Sequence, residues 1–159
     1  MANSTFLDAS TPLQVGDAVA AILVLEDGRY VLQLRDDVPE IWYPGHWGCF
    51  GGGVDPAEEP RAALRRELRE ELELEFDVAK ATLFTRFEFD LRPTGLGRYY
   101  RAYYEIALGA AAFASLKLHE GAELRAWPRD EALALPRLSP YDAFALFLHA
   151  HRHRLPNAR

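Results

Sequence analysis

The chain has 159 residues, of which 49% are hydrophobic and 26% are charged, and its formal net charge is -6. This length and composition predict one globular domain over 1–159, with flexible tails at 1–12 and 153–159. The acidic balance argues against a protein that coats nucleic acid, and the lone Cys49 excludes an intramolecular disulfide. We find no secretion signal in 1–10 and no apolar run that could span a bilayer, and we expect a soluble, cytoplasmic protein without membrane partners.

The first predicted element is a β-hairpin over residues 16–35. Two runs rich in aliphatic and β-branched residues flank Asp27-Gly28, and such a dipeptide between strands is a strong turn signal. Arg35 closes the second strand, where it is either an ordinary surface residue or a group that faces a ligand. Either way, it stands at the start of a polar loop.

The loop over 36–46 is rich in Asp, Pro and Gly and carries Trp42 and Tyr43. These rings either stack on a base or sugar or cover a hydrophobic edge, and we favour covering. A short strand over 47–50 then leads into three glycines, 51–53, where the backbone can approach a ligand closely. Cys49 lies in that strand and is expected to be a small buried hydrophobe.

A helix is predicted to begin at Pro60, because the fixed φ of proline suits a first helical turn. Its apolar stripe is Leu64, Leu68 and Leu72, and its glutamates fall in a neighbouring sector. The arginines of the helix, Arg66 included, are expected to project to other sides. We therefore expect the glutamates of this sector to form a cluster of negative charges.

Glu67 has like-charged neighbours at Glu70 and Glu71, and each such pair costs a few tenths of a kcal/mol. A divalent cation such as Mg²⁺ or Mn²⁺ would compensate for this repulsion, since hard cations prefer carboxylate oxygens. The alternative is a solvated charged face, which is the usual meaning of such helices. The helix alone does not decide between them.

The spacing of the glycines and glutamates resembles the signature of the Nudix hydrolases. The matching residues are Gly52, Glu58, Arg66, Glu67, Leu68, Glu70, Glu71 and Leu74. One position departs from the signature: Glu73 stands where the family usually has a Gly that assists the chain as it leaves the helix. The resemblance implies an α+β fold, an α/β/α sandwich with a mixed β-sheet between helices.

The resemblance also implies roles for individual residues. Glu67, Glu70 and Glu71 would hold Mg²⁺ or Mn²⁺ together with the Gly51 carbonyl. The catalytic residues would be Glu67, Glu70 and Glu120, with Glu67 or Glu120 as the base, although Glu120 is equally well an exposed loop carboxylate. Arg35 would face the substrate phosphates, and Glu58 with Arg66 would form a structural ion pair. By their ring chemistry alone, Trp42 and Tyr43 are the other candidates for substrate binding.

The second half of the chain predicts a longer hairpin, over 81–91 and 98–108. Its Tyr and Arg residues could line a nucleotide pocket, but cross-strand pairing explains most of the tyrosines without a ligand. An Ala-rich loop with a helical turn, a late strand and a short helix follow. The last predicted helix, 140–151, has an expected apolar face of Tyr141, Phe144, Phe147 and Leu148 that packs on the sheet or on a second subunit of a homodimer. His149 and His153 are expected to belong to a mobile charged tail.

The function that the resemblance implies is Mg²⁺-dependent hydrolysis of a nucleoside diphosphate linked to a group X. The products would be a nucleoside monophosphate and phosphorylated X or pyrophosphate. A non-catalytic module that senses a nucleotide is the alternative, and an isomerase of the same fold is a second one. Nucleoside triphosphates, oxidised triphosphates, nucleotide sugars and ADP-ribose all stay open as substrates, and the partner is a small molecule rather than a nucleic acid.

Overall fold

The computed structural model describes residues 12–156, which form one mixed sheet, four α-helices and three short 3-10 helices. The strands are β1 (Ala18–Leu25), β2 (Tyr30–Leu34), β3 (Trp47–Gly48), β4 (Thr82–Asp90), β5 (Arg98–Leu108) and β6 (Glu123–Trp127). The α-helices are α1 (Pro60–Leu72), α2 (Ala110–Ser115), α3 (Arg129–Leu133) and α4 (Pro140–Ala150), and the 3-10 helices are Val78–Lys80, Arg92–Thr94 and Arg152–Arg154.

The sheet has the order β3-β2-β1-β5-β4, and β6 also pairs with β2, antiparallel to it. Both predicted hairpins are confirmed, since β1 pairs antiparallel with β2 and β4 pairs antiparallel with β5. The central pair is different: β1 runs parallel to β5, from Ala18 opposite Arg101 to Leu25 opposite Leu108. This parallel pairing joins the two hairpins into one mixed sheet.

Each face of the sheet is covered by helices. Alternate residues of β1 point to opposite sides, so Val19 and Leu23 pack in one core with α1. Ala20 and Ile22 pack in a second core with Leu146 of α4. The predicted α/β/α sandwich is therefore confirmed. Cys49 is fully buried in the second core, as expected, and burial raises the pKa of its thiol well above its usual range.

Helix α1 begins at Pro60, as predicted, and its buried residues include Leu64, Leu68 and Leu72. The helix ends at Glu73, which takes the left-handed conformation with φ 52° and ψ 26°. Its N–H donates to the Arg69 carbonyl, and the next N–H, of Leu74, donates to the Leu68 carbonyl. Glu73 thus keeps the backbone conformation that glycine adopts most easily, at the cost of steric strain.

The expected apolar face of α4 is wrong. Phe144 is 55% exposed and Phe147 is 49% exposed, whereas the buried residues of the helix are Asp142, Ala145, Leu146 and His149. The helix turns two polar side chains into the protein because both find hydrogen-bond partners on the sheet. A pattern of apolar residues alone could not reveal those partners.

The assignment of His149 to a mobile tail is also wrong. Its ring is fully buried, with Nδ1 2.8 Å from the Tyr30 hydroxyl and Nε2 2.6 Å from Glu105. Because a carboxylate can only accept, Nε2 carries the proton and Nδ1 accepts from Tyr30. His153 lies in the 3-10 helix Arg152–Arg154, and most of the two expected tails lies outside the described residues. None of the helices in residues 12–156 has the length and hydrophobicity that crossing a bilayer would require.

Candidate active site

The glycine segment, residues 51–53, runs beside β1 and is fixed there by backbone hydrogen bonds. The Ala21 N–H donates to the Phe50 carbonyl at 2.8 Å, and the Val19 N–H donates to the Gly52 carbonyl at 2.9 Å. Gly51 has φ 131°, and a Cβ there would lie 2.3 Å from the Val19 carbonyl oxygen. Only glycine can therefore bring this segment so close to β1.

On its other side the glycine segment meets the glutamates of α1. A Cβ at Gly52 would lie 2.5 Å from Oε2 of Glu67. The Gly51 N–H donates to Oε2 of Glu71 at 2.9 Å. The absence of side chains at Gly51 and Gly52 thus lets two glutamates reach the backbone of the segment.

Glu71 is the most deeply placed of these glutamates, with only 4% of its surface exposed. Burial raises its pKa to about 8, and the nearby charges of Glu67 and Glu120 act in the same direction. The pKa of Glu67 is raised as well, mainly by burial and in part by Glu70 and Glu120, although Arg66 opposes the shift. The site therefore gathers negative charge in a poorly solvated place.

The expectation that Arg66 projects away from the glutamates is wrong. Its Nη1 lies 2.5 Å from Oε1 of Glu67 and 3.5 Å from Oε2 of Glu70. The long arginine side chain curls back along α1 and can reach both carboxylates, which a projection of Cα positions does not show. Repulsion among the glutamates is thus partly relieved by the protein itself.

Arg66 also ties the helix to the segment that precedes it. Its Nε and Nη2 donate to the two carboxylate oxygens of Glu58 at 3.0 and 2.9 Å, and Nη2 donates to the Gly53 carbonyl at 3.0 Å. The hydrogen bond from Arg66 is the main reason that the pKa of Glu58 is lowered. This forked contact joins Glu58, the glycine segment and α1.

Glu120 comes to the cluster from the loop before β6. The Lys117 N–H donates to the Leu72 carbonyl at 3.1 Å, and the His119 N–H donates to the Glu71 carbonyl at 2.8 Å. Two residues past Glu120, the Ala122 N–H donates to the Leu34 carbonyl at 2.8 Å. The loop therefore crosses the end of α1, which is how the charge of Glu120 affects Glu67 and Glu71.

The donor set fits a hard divalent cation in its chemistry. Glu71 is a buried carboxylate that accepts from a neutral N–H of the glycine segment. The Gly51 carbonyl accepts no hydrogen bond within residues 12–156, so its oxygen is available to a cation. These same residues contain no ready group of three acidic, His or Cys side chains around one point. Arg66 pairs with Oε1 of Glu67, and the other oxygen, Oε2, lies beside Gly52.

A cavity of about 570 Å³ opens beside the glycine segment. Arg35, Trp42 and Tyr43, the three residues expected to bind substrate, all line it. The Arg35 Nε donates to the Trp42 carbonyl at 2.9 Å, and the Trp42 Nε1 donates to the Gln14 carbonyl at 2.7 Å. These bonds fix the loop so that its aromatic rings form one wall.

Further residues that line the cavity include Tyr99 and Arg101 of β5 and Tyr141 of α4. The sequence left open that Tyr and Arg residues of β5 line a nucleotide pocket, and we favoured cross-strand pairing for most of the tyrosines. Tyr141 was expected on the apolar face of α4. Only the parallel pairing of β1 with β5 brings that strand beside the glycines, and sequence pattern does not predict this pairing.

Residues 15–147 match the model of the NUDIX domain family. The chain is 36% identical to the nucleoside triphosphatase NudI of Escherichia coli over 115 residues, which cover 70% of this chain and 80% of that protein. A MutT NUDIX hydrolase from Burkholderia pseudomallei has a similar structure, with a TM-score of 0.64 and 26% identity over 84% of this chain and 97% of its own. The MutT protein of Methanosarcina mazei Go1 has a similar fold, with a TM-score of 0.71 and 19% identity. That match covers 93% of this chain and 100% of the other. Since the family match spans most of the chain and includes the glycine segment and the glutamates of α1, the protein belongs to the Nudix family of hydrolases.

Proposed function

We propose that this protein hydrolyses a phosphoanhydride bond of a nucleoside diphosphate linked to a group X, with nucleoside triphosphates as the first candidates. The products are a nucleoside monophosphate and pyrophosphate or phosphorylated X. One observation carries the proposal: the cavity with aromatic walls opens onto the glycine segment, which contacts the glutamates of α1. A flat base and a charged phosphate chain would fit the two ends of such a site.

Mg²⁺ or Mn²⁺ would be held by Glu67, Glu70 and Glu71 with the Gly51 carbonyl. When bound, the ion supplies positive charge that offsets the negative charge on the phosphoryl oxygens and lowers the pKa of water. Glu70 is 52% exposed, so it can turn toward a ligand without a large loss of buried contacts. Gly51 and Glu71 are already fixed by their mutual hydrogen bond.

The protein must also take a proton from the attacking water. Glu67 or Glu120 fills this role in the proposal, because both lie in the acidic cluster and their charges affect one another. Arg66 holds Glu67 by an ion pair and orients its carboxylate. Arg35 lies on the cavity wall, where its guanidinium can offset phosphate charge, and Trp42 and Tyr43 offer ring surfaces to the base.

Nucleoside triphosphates come first because the relative from Escherichia coli that is 36% identical is a nucleoside triphosphatase. The alternative is a module that senses a nucleotide without turnover. The gathering of Glu67, Glu71 and Glu120 at one place favours the enzyme, since binding alone does not require a cluster of like charges. We further propose that the protein acts on free nucleotides in the cytoplasm.

The test is a panel of nucleoside triphosphates, nucleotide sugars and ADP-ribose with Mg²⁺ or Mn²⁺, in which each product is measured. Glu71→Gln and Glu70→Gln are each expected to lower kcat/KM by about 100-fold or more. Glu75→Gln is the matched control, because Glu75 is an exposed carboxylate just beyond α1 that pairs with Arg65. Undiminished activity in both site variants would overturn the proposal, and tight nucleotide binding without turnover would favour the sensor.

A further inference from the structure

Arg101 occupies an unusual place for an arginine, largely buried in the wall of the cavity. It lies on β5, between Ala18 of β1 and Phe87 of β4, and only 13% of its side chain is exposed. The guanidinium carbon lies 4.5 Å from the centroid of the Tyr141 ring, which also lines the cavity. A charged group is thus buried beside an aromatic surface, and it requires explanation.

Two of the three guanidinium nitrogens are occupied. The Arg101 Nε donates to the Tyr103 hydroxyl at 3.0 Å, and Nη2 donates to Oδ1 of Asp142 at 3.3 Å. The third nitrogen, Nη1, makes no hydrogen bond to any residue in the described part of the chain. Because Arg101 lines the cavity, the hydrogens of Nη1 are available to a ligand there.

The position of the guanidinium is fixed by Asp142, which is fully buried at the start of α4. Oδ1 of Asp142 also accepts from the Tyr103 hydroxyl at 2.8 Å. Oδ2 accepts from the Ser139 hydroxyl at 2.7 Å and from the Cys49 N–H at 3.0 Å. With all these bonds made, Asp142 cannot move easily, so Nη1 is a donor in a constant position.

The charge of this pair decides what kind of ligand fits. Asp142 balances the positive charge of Arg101, and in the proposed function the phosphates bind at the glycine segment near the glutamates. Arg101 therefore offers the cavity a donor without excess charge. The rings of Tyr43 and Tyr141, which both line the cavity, meet edge to face at 5.3 Å and offer aromatic surface to a ligand there. A flat heterocycle with an acceptor on its edge matches both features.

We propose that Arg101 donates from Nη1 to the carbonyl oxygen on the edge of a nucleobase, at position 6 of a purine or position 4 of a pyrimidine. Guanine, hypoxanthine, uracil and thymine carry a carbonyl there, whereas adenine and cytosine carry an amino group, which also donates and cannot pair with a guanidinium. Arg101 thus selects keto bases against amino bases. This inference rests on the proposed hydrolysis of nucleotides and deepens it.

The test on the unchanged protein compares two pairs of substrates, ITP with ATP and UTP with CTP. Within a pair the ring size is the same and the main difference is carbonyl against amine. One of the two pairs will be turned over faster. Within that pair, we expect the kcat/KM of the keto substrate to exceed that of the amino substrate by about 10-fold or more, as for a hydrogen bond to a charged group. Equal values within both pairs would overturn the inference and leave the proposed function standing.

Arg101→Gln then tests whether this residue is the cause. A glutamine amide can turn to accept from an amino group, so the preference for the keto base is expected to fall toward unity or reverse. Arg101→Met has no donor and is the second variant if the glutamine protein does not fold. Arg98→Gln is the control: Arg98 is 66% exposed on the same strand and pairs with Asp90, and its removal should leave rate and preference unchanged.

Three results separate the hypotheses. A keto preference that survives in folded Arg101→Gln or Arg101→Met would show that another group recognises the base, and would overturn the role of Arg101. No turnover of any nucleotide by the unchanged protein would overturn the proposed function itself. A preference that is lost at Arg101 and kept at Arg98 supports both proposals.

Discussion

Glu73 accepts a hydrogen bond from Nε2 of His119 at 2.8 Å, so the residue that ends α1 holds the residue that precedes Glu120. The other carboxylate oxygen of Glu73 accepts from the Lys117 ammonium, also at 2.8 Å. The family signature has a glycine here, which could make neither contact. In this chain, the departure from the signature therefore ties the loop of Glu120 to the helix that carries the other glutamates.

Glu73→Gly should separate these two effects. Glycine relieves the strain of a positive φ, so the melting temperature is expected to rise by a few degrees. The contacts to Lys117 and His119 are lost, and kcat is expected to fall if Glu120 takes part in the reaction. Glu73→Ala is the matched control, because it loses the same contacts and keeps the strain. A melting temperature that falls equally in both variants would contradict this account.

The second prediction concerns the close contact between Gly52 and Glu67. In Gly52→Ala the new methyl group would lie 2.5 Å from Oε2 of Glu67, and the carboxylate must shift. We expect kcat to fall by about 100-fold, the usual effect of misplacing a catalytic group by an ångström, and cation affinity to fall with it. Circular dichroism and isothermal titration with Mn²⁺ check the fold and the affinity.

Gly53→Ala is the control for Gly52→Ala. Nothing lies within 4 Å of a Cβ at Gly53, and its φ is not in the left-handed region. Its activity should be close to that of the unchanged protein. Equal losses in the two variants would show that the segment needs flexibility rather than space for Glu67.

Much of the fold was predictable because its signals are local. The turn at Asp27-Gly28, the helix start at Pro60 and the alternation in both hairpins each depend on neighbouring residues, and each is confirmed. The glycines and glutamates were also identified by fixed spacing along one segment. Short-range chemistry therefore placed the elements and the acidic half of the site.

The features that the sequence did not reveal depend on partners far along the chain. Asp142 lies on the buried face of α4 because it accepts hydrogen bonds from Arg101 and Tyr103. These two residues lie on β5, far from α4 along the chain. Arg66 was misplaced because its flexible side chain follows its partners rather than its Cα direction. Polar pairing, unlike apolar periodicity, leaves no regular trace in sequence.

The third prediction tests the buried pair of Asp142 with Arg101. Asp142→Asn removes a charge that a buried guanidinium needs and turns an amide toward groups that donate. We expect a loss of about 3 kcal/mol in the free energy of unfolding, measured by urea denaturation. Asp90→Asn, which breaks exposed ion pairs with Arg92 and Arg98, should unfold close to the unchanged protein. A small effect of Asp142→Asn would contradict this account, because it would show that the buried guanidinium does not depend on the charge of Asp142.

The fourth prediction is a pH dependence of stability from His149. Burial lowers the pKa of His149 below 6.5, although Glu105 opposes the shift, and the hydrogen bond from His149 helps to lower the pKa of Glu105. Between pH 6.5 and the lower folded pKa, the unfolded chain binds a proton that the folded protein refuses, so stability falls on acidification. Glu105 adds a further loss below its ordinary pKa of 4.5.

The measurement is the free energy of unfolding at pH 7.5 and pH 5.5. Glu71, whose pKa is raised to about 8, acts in the opposite direction over this range, so the contribution of His149 is read as a difference between proteins. His149→Gln can still accept from Tyr30 and donate to Glu105. On going from pH 7.5 to pH 5.5, we expect the free energy of unfolding of the unchanged protein to change by about 1 kcal/mol less favourably than that of His149→Gln. His153→Gln removes an imidazole from the exposed end of the chain and should behave like the unchanged protein. An identical pH dependence in all three proteins would show that His149 does not contribute.

The pairing of Ala18 with Arg101 on one side and with Gly53 on the other has a consequence for substrate choice. Two strand spacings, about 10 Å, lie between the two flanking backbones. Backbone hydrogen bonds set this distance. They therefore also fix the separation between Arg101, which would bind the base, and the glycine segment, beside which the anhydride would be cleaved. Substitutions of side chains at either end can change which base is bound or which bond is cleaved. The length of substrate that fits between the two ends is determined by the spacing of the strands.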